Sequence, residues 1–297
     1  MTEVSQLRIA EVYLESNFSE PLGLTVAGRE VVVFSHGSPG RTTPSEDAAA
    51  CFELDESTGV LVVADGVGGH QAGEIAAAHA MNCIRQHLEQ RQIGSLRETI
   101  LNAIEFANQT ILQLGLGAAT TLTLVELQPG FVRPYHIGDS IITQISRRGR
   151  IKWQSLAHAP VGYAIEAGIL DEEEGMIHPD RHLVSNVMGQ KDMSVSLGPS
   201  IQMAARDTMI LCSDGLSDNV STEELATLLK SGPLHSACKE AIQLARIRME
   251  QADAVLNIPG KPDDLTIIAC RGATGTDNTP QSEPDNSCHA PPQDTHS

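Results

Sequence analysis

An α+β fold built on antiparallel sheets is predicted by three observations. Strand-like runs come first, two helical stretches follow, and then a run of short strands leads into helices and one closing strand, an order that βαβ units do not produce. The short strands are spaced by turn signals. Hydrophobic residues make up 41% of 297, enough to fill a sizeable core.

Residues 1–28 are mixed and carry no clear periodicity, whereas Val31 to Phe34 supply β-branched residues for an opening strand. Residues 60–64 (VLVVA) are continuously apolar, as in a strand buried on both faces, and stop abruptly at Asp65-Gly66-Val67-Gly68-Gly69. Helical spacing then governs 72–90 and 95–114, the second opened by Ser95 with Glu98 three residues on, a capping-box pattern. These two helices are expected to lie as an antiparallel pair on a sheet. Period-two runs at 120–127, 131–137, 141–145 and 151–153, parted by Pro129-Gly130, Gly138-Asp139 and Arg148-Gly149, predict an antiparallel meander. Residues 157–190 break periodicity and carry Asp171-Glu172-Glu173-Glu174, read as a solvated helical turn in a loop-rich insertion. A strand at 208–212, helices at 222–230 (capped by Ser221 or Thr222) and 233–254, and a strand at 265–270 complete the folded part. Residues 272–297 lack any apolar face and are expected to be a disordered tail.

Twenty Lys plus Arg face 38 Asp plus Glu, a formal charge of −18, and aromatic residues are 3% of the chain. A surface that tracks phosphates needs the opposite sign, and base stacking needs aromatic rings, so no nucleic-acid partner is expected. Six cysteines without a C-x-x-C pair suggest neither a zinc ribbon nor a disulfide framework, and favour a reducing compartment. With no apolar segment of spanning length and no signal-like start, a cytoplasmic protein without membrane attachment is expected.

Acidic residues stand at strand ends and in turns: Glu46-Asp47, Asp65-Gly66, Asp214-Gly215 with Asp218, and Asp263-Asp264. Asp followed by Gly at the end of an apolar strand sets a charged oxygen beside backbone that a ligand can approach closely. One such pair alone is most simply a turn. Four in one chain, if they converge, need cations between them, and all-oxygen donors select Mg²⁺ or Mn²⁺ over Zn²⁺. Two such ions bridged by a carboxylate and a water generate a nucleophilic hydroxide and clamp a phosphoryl group.

The ordered set Ser45-Glu46-Asp47, Asp65-Gly66-Val67-Gly68-Gly69-His70 with Ala72-Gly73-Glu74, Gly117 to Leu122, Ile137-Gly138-Asp139-Ser140, Leu211 to Leu216 with Asp218, and Asp263-Asp264-Leu265-Thr266 closely resembles the metal-dependent protein phosphatases, the PPM or type 2C serine/threonine family, in its bacterial forms. The resemblance implies a four-layer α-β-β-α sandwich, two antiparallel sheets flanked by helix pairs, with residues 29–271 as the catalytic domain and 157–190 as its flap. It implies hydrolysis of phosphoserine and phosphothreonine by direct attack of a metal-bound hydroxide, using two Mg²⁺ or Mn²⁺ ions and a weaker third. Asp65 would bridge the tight pair and the Gly66 carbonyl would ligate one ion. Glu46 and Asp47 would act directly or through water, with Asp214 and Asp263 completing the shell. Asp139, Asp214 and Asp218 would hold the third ion. Partners would be phosphorylated proteins, opposite a serine/threonine kinase, and a monomer is expected.

Several positions depart from the family pattern. Ser45 stands in place of Asn, and Asp264 in place of the Asn that follows the last Asp. Thr42 fills the position of the phosphate-binding Arg, with Arg41 one residue further away as the candidate. Ile141 follows Gly-Asp-Ser where the family has Arg, and Ala157-His158-Ala159 replaces Asp-His-Ser. His70 is a candidate proton donor near the leaving oxygen, or a structural residue at a helix start. Cys212 reads as a small core residue. Two alternatives stay open on the residues: a catalytically weak or inactive scaffold that binds phosphoproteins, and another metal-assisted phosphoesterase.

Overall fold

Residues 7–67, 71–91, 94–115, 117–251 and 260–272 are described by the computed structural model, and they form four layers, with two antiparallel sheets inside and helices outside. Along the chain, β1 (Ile9–Leu14), β2 (Leu22–Val26), β3 (Arg29–His36), β4 (Ala48–Glu53), β5 (Gly59–Ala64) and β6 (Gly66–Val67) precede the long helices α1 (Gln71–Glu89) and α2 (Leu96–Gln113). Next come β7 (Ala119–Thr120), β8 (Leu122–Gln128), β9 (Phe131–Ile137), β10 (Ile141–Ile145) and β11 (Ile151–Gln154). The insertion holds α3 (Pro160–Glu166) and α4 (Glu172–Met176), and β12 (Ser196–Leu197) and β13 (Ile201–Gln202) follow it. The chain ends its described part with β14 (Thr208–Cys212), α5 (Asp214–Ser217), α6 (Thr222–Leu229), α7 (Leu234–Gln251) and β15 (Leu265–Arg271).

One sheet runs β1-β4-β5-β8-β9-β12, with β13 also on β9, and the other runs β11-β10-β14-β15-β3-β2. The pleat explains how fully apolar strands serve two layers at once. On β5, Val60, Val62 and Ala64 face α1 and α2, while Leu61 and Val63 face the opposing sheet. On β15, Ile267 and Ala269 face α6 and α7, while Ile268 and Cys270 point between the sheets. Ala76, Ala77 and Ala80 give α1 a flat face that lies close on its sheet.

Two expectations change here. Residues 9–14 and 22–26, left unassigned by periodicity, are edge strands, and only part of each is buried, so their apolar alternation is weak. The anticipated meander is split: β8 and β9 belong to one sheet, whereas β10 and β11 belong to the other. Gly138-Asp139-Ser140 is therefore a crossing between sheets and not a hairpin turn. Gly138 takes φ +103°, and a Cβ there would stand 2.6 Å from Thr121 Cβ, so the crossing closes only over glycine.

The buried polar pair on the first sheet is testable. Tyr135 on β9 donates its hydroxyl to Glu126 Oε2 on β8 at 2.8 Å, both side chains being buried. Tyr135→Phe should lower stability by roughly 1.5–3 kcal/mol, since a buried carboxylate loses a hydrogen bond. A urea midpoint that falls at unchanged slope would report it.

Candidate active site

The acidic elements reach one end of the sandwich because glycines let their backbones touch. Asp65 follows β5 directly and is pinned by its neighbours: its N–H donates to Thr121 Oγ1 at 3.0 Å, and its carbonyl accepts from the Thr121 N–H and the Thr120 hydroxyl, each at 2.9 Å. A Cβ on Gly66 would lie 2.5 Å from the Gly73 carbonyl carbon, and one on Gly73 would lie 2.8 Å from Glu46 Oε2. Strand β6, the start of α1 and the Glu46 loop meet through these two residues. At the opposite sheet, a Cβ on Gly215 would fall 2.0 Å from the Asp264 carbonyl oxygen, so α5 sits directly against the start of β15.

A cleft of about 220 Å³ results, and its lining includes Glu46, Asp65, Gly66, Asp139, Asp214 and Asp263, six of the residues expected at the site. Arg41 lines it too, 3.6 Å from Glu46 Oε1 and 3.7 Å from Asp264 Oδ1. Asp47 lies beneath, with Oδ2 accepting from the Ser213 hydroxyl at 2.8 Å and Oδ1 without a hydrogen-bond partner among the described residues. Asp218 opens instead into an adjoining cavity of about 480 Å³ that shares Asp139 and Asp214 with the cleft. His70 lies outside the described residues.

The departures from the family pattern acquire local partners. Ser45 is buried and its hydroxyl accepts from the Asp47 N–H at 3.2 Å. Asp264 accepts from the Ser38 N–H at 2.7 Å and the Glu46 N–H at 2.6 Å, closing the loop that carries Arg41. The carboxylate in the place of Asn thus faces the displaced guanidinium. His158 accepts from the Gly138 N–H at Nδ1 (3.1 Å) and holds the insertion onto the sheet crossing.

Three features were not anticipated. Lys261 sets its ammonium against Asp214, Asp218 and Asp263. His182 and Val184 are the residues by which the insertion lines the cleft. Glu172, expected in a solvated acidic turn, accepts from the Thr222 N–H at 2.8 Å and its hydroxyl at 2.6 Å, so part of that block caps α6. No sequence pattern ties Lys261 to aspartates 43 to 47 positions away; only the contact of α5 with β15 brings them together.

Burial followed by mutual repulsion raises the carboxyls. Asp139 is pushed up to about 8 by burial and then by Asp214 and Asp218, Asp218 to about 7 by burial and then Asp214, and Asp263 to about 6 in the same way. Asp65 and Asp47 rise well above the ordinary carboxylate range, burial acting first, with Asp47 repelling Asp65 and Asp264 repelling Asp47. Burial works against the charge of Lys261, yet Asp214, Asp218 and Asp263 outweigh it and hold the ammonium protonated. Cys212 is fully buried and its thiol is raised by burial, as befits a core residue.

The donor set suits a hard divalent cation: carboxylate oxygens, with Asp47 Oδ1 and Asp218 Oδ2 buried without a hydrogen bond among the described residues, beside a backbone carbonyl at Gly66. Among the described residues no group of three or more Asp, Glu, His or Cys side chains is already arranged as a metal shell.

This architecture and acidic cleft define a class of metal-dependent phosphatases, and comparison with known proteins agrees. The protein phosphatase 2C family model matches residues 38–248, and the chain belongs to that family. It is 31% identical over 196 residues to the protein phosphatase PhpP of Streptococcus pneumoniae, covering 63% of this chain and 79% of that protein. The S. agalactiae serine/threonine phosphatase structure superposes with a TM-score of 0.71 at 26% identity, over 82% of this chain and all of that one. The PstP catalytic domain in complex with two manganese ions gives 0.64 at 25% identity, over 81% of this chain and 96% of that one.

Carboxyls raised on folding hold protons that the unfolded chain releases above about pH 4, so their contribution to stability is present at low pH and lost as pH rises through the folded values. In EDTA, the melting temperature should therefore fall between about pH 4 and 8 and fall less in Asp139→Asn. A rising or identical profile would contradict this.

Proposed function

We propose that this metal-dependent serine/threonine protein phosphatase works through the cleft at the end of the sandwich, removing phosphate from phosphoserine and phosphothreonine side chains. The observation that carries the reading is the convergence of acidic strand ends on a cleft that also exposes Arg41. Asp65, the Gly66 carbonyl, Asp214 and Asp263 would hold a pair of Mg²⁺ or Mn²⁺ ions, with Glu46 and Asp47 directly or through water. Asp139, Asp214 and Asp218 would hold a weaker third ion. When bound, the ions supply an activated water and neutralise phosphoryl oxygens.

The chain's own groups do the remaining work. Arg41 is held between Glu46 and Asp264 and offers N–H donors to a phosphoryl oxygen, orienting the phosphorus for attack. As the P–O bond to the seryl or threonyl oxygen breaks, that oxygen needs a proton. His182 supplies it in this reading, acting as the imidazolium: its Nδ1–H stays with the Pro179 carbonyl at 2.9 Å while its Nε2 proton passes to the leaving oxygen, leaving a neutral ring. His70 remains a second candidate donor. The substrates would be proteins phosphorylated by a serine/threonine kinase, met in the cytoplasm by a monomer. An intact acidic cleft with an arginine at its rim supports an enzyme over an inactive phosphoprotein-binding scaffold.

Phosphate release from a phosphothreonine peptide should require Mn²⁺ or Mg²⁺, and Arg41→Ala should raise KM about tenfold, a loss of roughly 1.4 kcal/mol of substrate binding. No metal-dependent release would overturn the reading, and unchanged kinetics would remove Arg41 from it. His182→Ala should slow a phosphothreonine peptide at least about tenfold more than p-nitrophenyl phosphate, whose leaving group departs unprotonated. Equal losses on both substrates would exclude His182 as the donor.

A further inference from the structure

The corner of the site formed by Asp214, Asp218 and Asp263 contains a cation belonging to the chain. Lys261 Nζ lies 3.2 Å from Asp218 Oδ2 and 3.0 Å from Asp263 Oδ2, and donates to Asp214 Oδ2. The hydrogen bond goes to Asp214, and Asp218 and Asp263 are met as ion pairs, Asp218 Oδ2 having no hydrogen-bond partner among the described residues. The lysine is placed there by its backbone. Asn219, wholly buried, donates from Nδ2 to the Lys261 carbonyl at 3.0 Å and accepts the Lys261 N–H at Oδ1 at 2.9 Å. The same Nδ2 donates to the Gly215 carbonyl at 2.8 Å, so the turn bearing Asp214 and Asp218 and the segment bearing Lys261 are fastened as one unit.

We propose that Lys261 is a tethered counter-cation that occupies the Asp214–Asp218–Asp263 corner in the metal-free protein and must be displaced before a divalent ion binds there. The inference rests on the metal-centre reading above and adds a competitor to it. A cation fixed to the protein competes at a high effective concentration, so the ion held at this corner binds more weakly than its carboxylates alone would dictate. The tight pair shares Asp214 and Asp263 with this corner but also has Asp65 and the Gly66 carbonyl, which Lys261 does not touch, so it is affected less. Lys261 also accounts for how buried carboxylates coexist before metal arrives, because a single unit charge within 3.2 Å of two of them offsets part of their repulsion.

The test is calorimetric titration of Mn²⁺ into wild type, Lys261→Met, Lys261→Gln and Lys261→Arg, with melting in EDTA followed on the same samples. Both neutral variants should bind the weakest ion about tenfold more tightly and melt lower in EDTA, whereas Lys261→Arg should stay near wild type on both measures. Mn²⁺ binding that is unchanged or weaker in both neutral variants overturns the inference while leaving the metal centre standing. An absence of Mn²⁺ binding in all four proteins overturns the metal centre, and the inference with it.

Discussion

Repulsion among carboxylates brought to one end of a rigid sandwich is the constraint on which the rest of the structure depends. Glu46, Asp47 and Asp264 are all buried, and Asp65, Asp139, Asp214 and Asp263 share the same cleft. Ionised groups so placed are costly unless a positive charge or a hydrogen bond meets them. The chain supplies some relief itself: Ser213 to Asp47, backbone N–H groups to Asp264, Arg41 at the rim, and Lys261 at the far corner. What remains uncompensated is the Asp47 oxygen that has no hydrogen-bond partner among the described residues, and carboxyls raised toward neutrality. A domain that only needed to fold would gain from replacing such acids with neutral residues.

The sandwich tolerates this arrangement because its strands are fixed from both sides. Strands β4, β5, β14 and β15 are buried throughout, so the residues at their ends inherit a backbone that cannot relax away from its neighbours. Close approaches at Gly66 and Gly73 on one sheet and at Gly215 on the other then let the Asp264 carboxylate reach the Glu46 N–H and the Ser213 hydroxyl reach Asp47, which joins the strand ends into one wall. Function and fold meet at these glycines: a methyl group at any of them would push apart the elements that carry Glu46, Asp65 and Asp263.

Much of this could be read from the residues. Continuous apolar runs predict β5 and β14, Ser95 does accept from the Glu98 N–H at 3.4 Å as an N-cap, and the Asp-Gly steps land on the cleft. The illegible parts share a physical cause, since each depends on contacts between distant segments. Period-two spacing on either side of Gly138 is the same whether β9 and β10 pair or part to different sheets. Edge strands β1 and β2 expose half their side chains and lose the apolar signal. Lys261 and His182 acquire meaning only from what α5 and the insertion are packed against, and Asp264 only from the backbone N–H groups it holds.

The most direct test of the whole account is a crystal structure grown with Mn²⁺, read from its anomalous signal. Peaks in the cleft within about 2.2 Å of Asp65 and of Asp214 or Asp263 oxygens, with the carboxylates drawn together around them, are the result the account predicts. A cleft without anomalous peaks, its carboxylates unmoved and Arg41 and Lys261 still their only cations, would contradict it.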